Sequence, residues 1–427
     1  MDKSMDLSRL QQLAATISSN TTTIHDYLQA HNEQLPAWRP GAQHDLPAEV
    51  SPAQDAALDA IHELYGLLIS PINAFLAASP YNLMSINVVE RFKIADSFDA
   101  SEETSFERIA AASGLSPMRV KHIIRHAATM GVFRELRKGI VVHTPRSLLL
   151  RSGTTEAAFA ACSIEDTYSG ALFVTQAWEK WPNSDEPNET GYNLAHKTDL
   201  SKYDFIQQDP ARAARFAKAM SMIGQGPGFA ASHLARGYDW SQASTVVDLG
   251  GSTGHISAAL AAQHPDQKFI VQDYATTIAG AAARLPGEVA PRISFMAHDF
   301  FQPQPIVADT YLFRWILHNW SDKYAIRILR ALIPALRPGA RVVINDYCLP
   351  EPGVLPLWKE REARQMDLLM MGQFNAYERD AEDWHALIHR VDPRFRLLGI
   401  DTPVGSHFSI IVAEWVGGVI EGESSST

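Results

Sequence analysis

Val246-Val247-Asp248-Leu249-Gly250-Gly251-Ser252-Thr253-Gly254-His255 is the stretch that decides the fold. A β-branched apolar run meets an acidic residue, then passes through three glycines into the helical segment Ile256–Gln263. Strand, tight glycine turn and helix N-terminus together make a nucleotide cradle, because backbone without side chains can approach a ligand closely. The spacing is G-G-x-x-G, which departs from the G-x-G-x-x-G of nicotinamide-binding folds. A glycine turn after a strand also serves as an ordinary βα connection, so both readings stay open here.

Downstream the text alternates strand and helix. Apolar runs predict strands over Thr245–Leu249, Lys268–Gln272, Ile293–Ala297, Asp309–Leu317, Arg341–Tyr347, Phe395–Ile400 and Phe408–Trp415, with helices including Asp322–Leu336 and Leu357–Met371 between most of them. Such alternation means a mostly parallel sheet covered on both faces. Only Pro403, Val404 and Gly405 connect the last two strands closely, so these must pair as a hairpin. The fold class is therefore α/β, a Rossmann-like seven-stranded sheet closing with an antiparallel strand.

Upstream the pattern is helical. Leu7–Ala30 reads as a polar-rich amphipathic helix, followed by a Pro-containing tether from Leu35 to Pro52, an apolar repeat from Ala56 to Leu68 and a helix over Asn82–Ala95. Thr104-Ser105-Phe106-Glu107 resembles a capping box, Gly114 ends that helix, and Ser116-Pro117 starts the next. Two short strands, Val132–Leu136 and Ile140–His143, complete a winged helix-turn-helix. Its second helix carries Arg119, Lys121, His122, Arg125 and His126, which suits either DNA recognition or the solvated face of a scaffold. The expected division is a helical and winged-helix domain over 1–150, a helical segment lining the substrate over 151–243, a cofactor-binding domain over 244–417 and a disordered tail over 418–427.

Composition narrows the function. A chain of 427 residues is too long for one ordinary core, and its 46% hydrophobic content is that of a globular protein. A net charge of −11 argues against wholesale nucleic-acid binding. Cys162 and Cys348 are the two cysteines, so neither a disulfide framework nor a zinc site is expected, and the metal expectation is none. Neither a signal peptide nor a long apolar span is legible, which points to a cytoplasmic protein.

Acidic residues fall repeatedly at strand ends, where ligands bind in open parallel sheets. Asp248 ends the first strand, Asp273 the second, at the spacing of a ribose-hydroxyl acceptor, and the third runs into Asp299-Phe300. The acid ahead of the glycines suits a positively charged cofactor, as S-adenosylmethionine is. The fourth strand passes Arg314 and delivers His318. A neutral imidazole within reach of a phenol can take its proton as oxygen attacks, contributing roughly 10²–10⁴-fold. Such a histidine is also often just a structural residue after a strand. Asp346 and Glu378 lie downstream; either could orient the imidazole, and Glu378 could equally open the helix Asp380–Arg390. Met366, Met370 and Phe374, like Phe216 and Met220, recur every four residues, fitting plain core or a soft acceptor pocket.

Taken in order, Val247-Asp248-Leu249-Gly250-Gly251-Ser252-Thr253-Gly254, Gln272-Asp273, His298-Asp299-Phe300-Phe301 and Leu312-Phe313-Arg314-Trp315-Ile316-Leu317-His318-Asn319-Trp320-Ser321-Asp322 resemble the plant caffeate- and flavonoid-type O-methyltransferases and their fungal natural-product relatives. The resemblance covers most of the chain from about Ile61 to Trp415. It implies S-adenosylmethionine as cofactor, held by Asp248, Gly250, Gly251, Gly254, Asp273, Asp299, Phe300 and Arg314. It implies His318 as proton acceptor assisted by Asp346 and Glu378, a small-molecule acceptor beside Phe216, Met220, Met366, Met370 and Phe374, and a homodimer through the N-terminal part. Arg314 stands where lysine is common, Asn319 where aspartate is frequent, and Asp346 where glutamate is frequent. The competing expectation is an enzyme of the same fold that keeps the cofactor but catalyses dehydration or a pericyclic step without transfer.

Overall fold

The structure, a computed structural model, describes residues 3–33, 35, 46–77, 79–224 and 226–418. Most of the expected tether and all but one residue of the expected tail lie outside these. Contacts group the chain into two compact units. The first comprises Met1–Ser169, Asp204–Ile223 and Pro352–Glu362; the second comprises Gly170–Tyr203, Gly224–Glu351 and Ala363–Thr427. The division therefore does not follow chain order as 1–150, 151–243 and 244–417 would. Two later segments return to the first unit: Leu357 and Trp358 donate their backbone N–H groups to Asp59, and Lys359 pairs with Asp55.

In the first unit the long helix Lys3–Ala30 packs along Ser51–Leu68, whose small residues Ala53, Ala57 and Ala60 are buried. Beyond the helix Pro80–Arg91, Lys93 adopts a left-handed conformation and ends it short of the predicted Ala95. The strands β1 (Thr104–Ser105), β2 (Arg134–Arg137) and β3 (Ile140–Val142) form an antiparallel sheet with β3 central. The helices Phe106–Ser113 and Pro117–Thr129 pack on Val89, Phe98, Val132 and Val141. Ser105, not Thr104, caps the first of them, its side chain accepting from Arg108 N. Phe133 has φ +66°, so β2 begins two residues later than the apolar run suggests. Arg125 forms a double ion pair with Glu135, and His126 Nδ1 contacts Ser85. Two of the five basic side chains on that helix are thereby engaged within the unit.

In the second unit the strands β4 (Thr245–Leu249), β5 (Lys268–Asp273), β6 (Ile293–Ala297), β7 (Thr310–Arg314), β8 (Arg341–Asp346), β9 (Phe395–Asp401) and β10 (Ser409–Trp415) form one sheet. Their order is β6-β5-β4-β7-β8-β10-β9. The first five are parallel, and β10 runs antiparallel to both neighbours, wedged between β8 and β9. Successive residues alternate between two cores: Val247, Phe313 and Ile344 face the helices Asp322–Ala331 and Ala381–Val391, while Val246, Leu312 and Val343 face Ala231–Gly237 and His255–Gln263. A strand buried on both sides must read as a continuous apolar run, which is why β4, β7 and β8 lack polar alternation. Strand order reverses between β4 and β7, so the crevice beyond their carboxyl ends is the expected ligand position. Among the described residues no helix is long and apolar enough to cross a membrane.

Candidate active site

The glycine turn is built for close approach. Gly250 has φ +72° and Gly254 φ +78°, a region that favours glycine. A Cβ on Gly251 would lie 2.6 Å from the Asp248 carboxyl carbon, and one on Gly250 would lie 2.5 Å from Ile316 Cδ1. Phe300 faces the same spot, its ring edge 3.9 Å from that Gly250 position. Gly254 instead packs on Phe295 and starts the helix His255–Gln263. Asp248 is buried and accepts a 2.6 Å hydrogen bond from Ser257 Oγ. Burial pushes its pKa up to about 6, so a neighbouring cation would stabilise its charged form. At the end of β5, Asp273 accepts from the backbone N–H groups of Ser252 and Tyr274, 2.9 and 2.8 Å away. Asp299 is engaged by its own turn, accepting from Phe301 N.

Across the crevice β7 ends at Arg314, three residues before the predicted Leu317. Trp315 has φ +60°, a left-handed conformation that breaks the strand and turns the chain into the short helix Leu317–Asn319. Its N–H still reaches Asn345 O, and Asn319 Nδ2 returns to Trp315 O. Arg314 donates to Asn345 Oδ1 and to Phe229 O, and its guanidinium lies 5.2 Å from the Phe408 ring centroid. Burial lowers its pKa to about 10 against the pull of Asp248 and Asp346.

His318 is 4% exposed, and its Nδ1 lies 2.8 Å from Glu378 Oε1. Asp346 takes the other task. Its Oδ2 accepts from the backbone N–H groups of Leu317 and His318, 3.0 and 3.3 Å away, and fixes the turn that carries the ring. The two acids that the sequence left as equivalents thus divide the work: Glu378 holds the imidazole, Asp346 its backbone. Glu378 does not open the following helix; Asp380 caps it. Burial disfavours the imidazolium, but the charges of Glu378 and Asp346 outweigh it, so the His318 pKa lies above the ordinary histidine value. Asp346 is itself pushed up to about 6 by burial.

Two contributors escaped the sequence reading. Arg379, 1% exposed, donates to Leu317 O and Trp320 O and pairs with Asp322, clamping the His318 turn from below. Asp367 accepts from Glu378 N and sets the height of that carboxylate. An arginine next to a candidate acid was the available signal for the first; nothing local marked the second. Of the expected pocket residues, Met366, Met370 and Phe374 cluster with Tyr203 in the second unit, while Phe216 and Met220 belong to the first. Tyr203 also donates to Asn319 Oδ1, at 3.0 Å. Among the described residues no group of three or more histidine, cysteine or acidic side chains is arranged to hold a metal.

The O-methyltransferase domain family matches residues 182–392. The O-methyltransferase pyvH of Aspergillus violaceofuscus (strain CBS 115571) is 37% identical over 97% of this chain and its own full length. The chain belongs to the O-methyltransferase family. A second relative of the methyltransferase, the chlorophenol O-methyltransferase of Trichoderma longibrachiatum, is 36% identical over 96% of this chain and 90% of its own. A solved structure described as a pericyclic reaction enzyme superposes with a TM-score of 0.69 at 19% identity, covering 94% of this chain and all of its own, a likeness of fold. The enzyme is an S-adenosylmethionine-dependent O-methyltransferase.

Proposed function

We propose that the methyltransferase methylates a phenolic or enolic hydroxyl of a small natural product, with His318 as general base. The observation that carries this is the buried His318–Glu378 pair, 2.8 Å apart, at the carboxyl end of the strand adjoining the glycine cradle. Bound S-adenosylmethionine supplies a methyl group already activated on a sulfonium. Asp248 would face its positive charge, Asp273 its ribose hydroxyls, and Asp299 and Phe300 its adenine. Gly250 and Gly251 admit it close to the backbone, with Gly254 and Arg314 completing the cradle. Glu378 keeps the proton on Nδ1, so neutral His318 presents Nε2 as the acceptor and takes the proton of the substrate hydroxyl there. Glu378 then stabilises the imidazolium, while Asp346 and Arg379 keep the turn from shifting. The soft cluster of Met366, Met370 and Phe374 suits a flat aromatic acceptor. Phe216 and Met220 carry no part of this assignment.

The same reading makes the protein a cytoplasmic homodimer joined through its N-terminal part. Exposed Tyr65, Leu68, Ile72 and Tyr81 in the first unit support the dimer, and the helix pair with its hairpin supports the winged-helix reading. Two free cysteines support a reducing compartment.

The test is turnover of a panel of phenols by purified enzyme, read by mass spectrometry. Gain of one methylene unit supports transfer; isomerisation without cofactor consumption supports the non-methylating alternative that the shared fold leaves in play. His318→Ala should keep cofactor binding and lose roughly 10²–10⁴-fold in turnover. Unchanged turnover would falsify the base assignment.

A further inference from the structure

A second concavity lies in the same unit as His318. It encloses about 380 Å³ between the helix Val174–Lys180, the loop that follows it, and residues 371–377. That volume is in the range of small-molecule sites, roughly 300–1,000 Å³. The indole of Trp178 forms one wall and is 46% exposed, which leaves a ring face open to the cleft. Tyr377 and Met371 form the opposite side, and Asn183, Ser184 and Asp185 form a polar rim.

The cleft is held open by its own framework. Ser321 Oγ binds Asp185 O at 3.0 Å, and Asn375 Nδ2 binds Glu186 O and Glu189 O at 2.8 and 3.1 Å. Tyr324 and Lys323 both hold the Glu186 carboxylate. Asn183 and Asn375 are left-handed, with φ +58° and +50°, a turn conformation that asparagine tolerates. The floor leads straight to the chemistry. Tyr377 precedes Glu378, which holds His318, and rests on Arg379, 5.0 Å from its ring centroid, which clamps the His318 turn.

We propose that this cleft is a second small-molecule site, taking a flat, neutral, hydroxylated aromatic molecule and coupled to the base through Tyr377 and Glu378. Trp178 and Tyr377 offer ring faces, Met371 a polarisable thioether that favours aromatic edges, and Asp185 an acceptor for a hydroxyl. Lys323 is paired with Glu186 and Arg379 with Asp322, so the Asp185 carboxylate at the rim repels an anion and offers the hydroxyl of a neutral molecule an acceptor. Occupancy of the cleft does not require methyl transfer, so its test is separable from that of the active site.

The full-length enzyme is titrated with 2-naphthol by calorimetry, together with Trp178→Ala and Trp178→Phe. The expected result is one site fewer per chain in Trp178→Ala than in wild type, with the site regained in Trp178→Phe, whatever number the active site itself contributes. Equal site numbers in wild type and Trp178→Ala overturn the proposal. Coupling is read from the His318 titration by nitrogen NMR with 2-naphthol present. A midpoint displaced further in wild type than in Trp178→Ala supports it, and equal displacement overturns it.

Discussion

The carboxylate of Glu378 grips Nδ1 of His318 while Asp346, on the neighbouring strand, grips the backbone beneath it. The two acids therefore fail differently when removed. Glu378→Gln should lower kcat by at least tenfold with KM little changed, because the imidazole loses both its preferred tautomer and the charge that stabilises its protonated form. Asp346→Asn keeps an oxygen for the two N–H groups and should cost less. Steady-state kinetics of the two variants side by side check the ranking; an equal loss from both would contradict it.

The His318 pKa is raised despite its burial, chiefly by Glu378 and Asp346. A base works only when unprotonated, so kcat/KM should rise with pH through a midpoint above 6.5, the ordinary histidine value. In Glu378→Gln the raising charge is gone while burial remains, and the midpoint should fall. A pH–rate profile of each enzyme measures both.

Asp248 and Asp346 each have pKa values near 6 in the folded protein against an ordinary 3.8. Between those values the folded chain binds more protons than the unfolded one. Their contribution to stability is full below about pH 3.8 and is lost as pH rises through about 6. The cofactor-free protein should therefore lose part of its thermal stability across that window, and Asp346→Asn should lose less. A positively charged ligand beside Asp248 favours the ionised form, so S-adenosylmethionine affinity should weaken as pH falls below 6, and Asp248→Asn should flatten that dependence. Thermal melts and calorimetry across pH 4–7 measure the two effects.

Gly251→Ala places a methyl 2.6 Å from the Asp248 carboxyl, which has no room to retreat because Ser257 fixes it. Cofactor binding should be abolished or reduced by more than tenfold. Gly224→Ala, where a Cβ meets nothing within 4 Å, serves as the control and should bind normally.

Arg379→Lys keeps the charge but cannot span the fork to Leu317 O, Trp320 O and Asp322. Losing such a buried network should cost about 3 kcal/mol, read as a shift in the denaturant midpoint. Because the clamp holds the turn that carries His318, the proposed base, kcat should fall with it.

The sheet was legible because its strands carry a local rule. Val246, Val247, Leu312, Phe313, Val343 and Ile344 are buried on both faces, and a run of apolar β-formers announces that without any tertiary knowledge. Strand ends were less legible where one backbone conformation overrides side-chain preference. Trp315 and Phe133 are apolar and look like strand, yet both are left-handed and move an edge by two or three residues. The candidate base and Asp346 were legible from strand-end position, and Glu378 as an acid just ahead of a helix. Their division of labour was not legible, because residues 318 and 378 meet only when Asp367 and Arg379 set their separation. The unit boundaries were hidden for the same reason: Pro352–Glu362 rejoins the first unit through Asp55 and Asp59, nearly 300 positions upstream.

The wedging of β10 between β8 and β9 has a consequence for biosynthesis. Neither β8 nor β9 can satisfy its facing backbone groups until Ser409–Trp415 has emerged from the ribosome, because that segment bridges both ladders. Until that segment emerges, β8 presents an open edge able to pair with another chain, which makes this side of the sheet the more exposed to misassembly during synthesis.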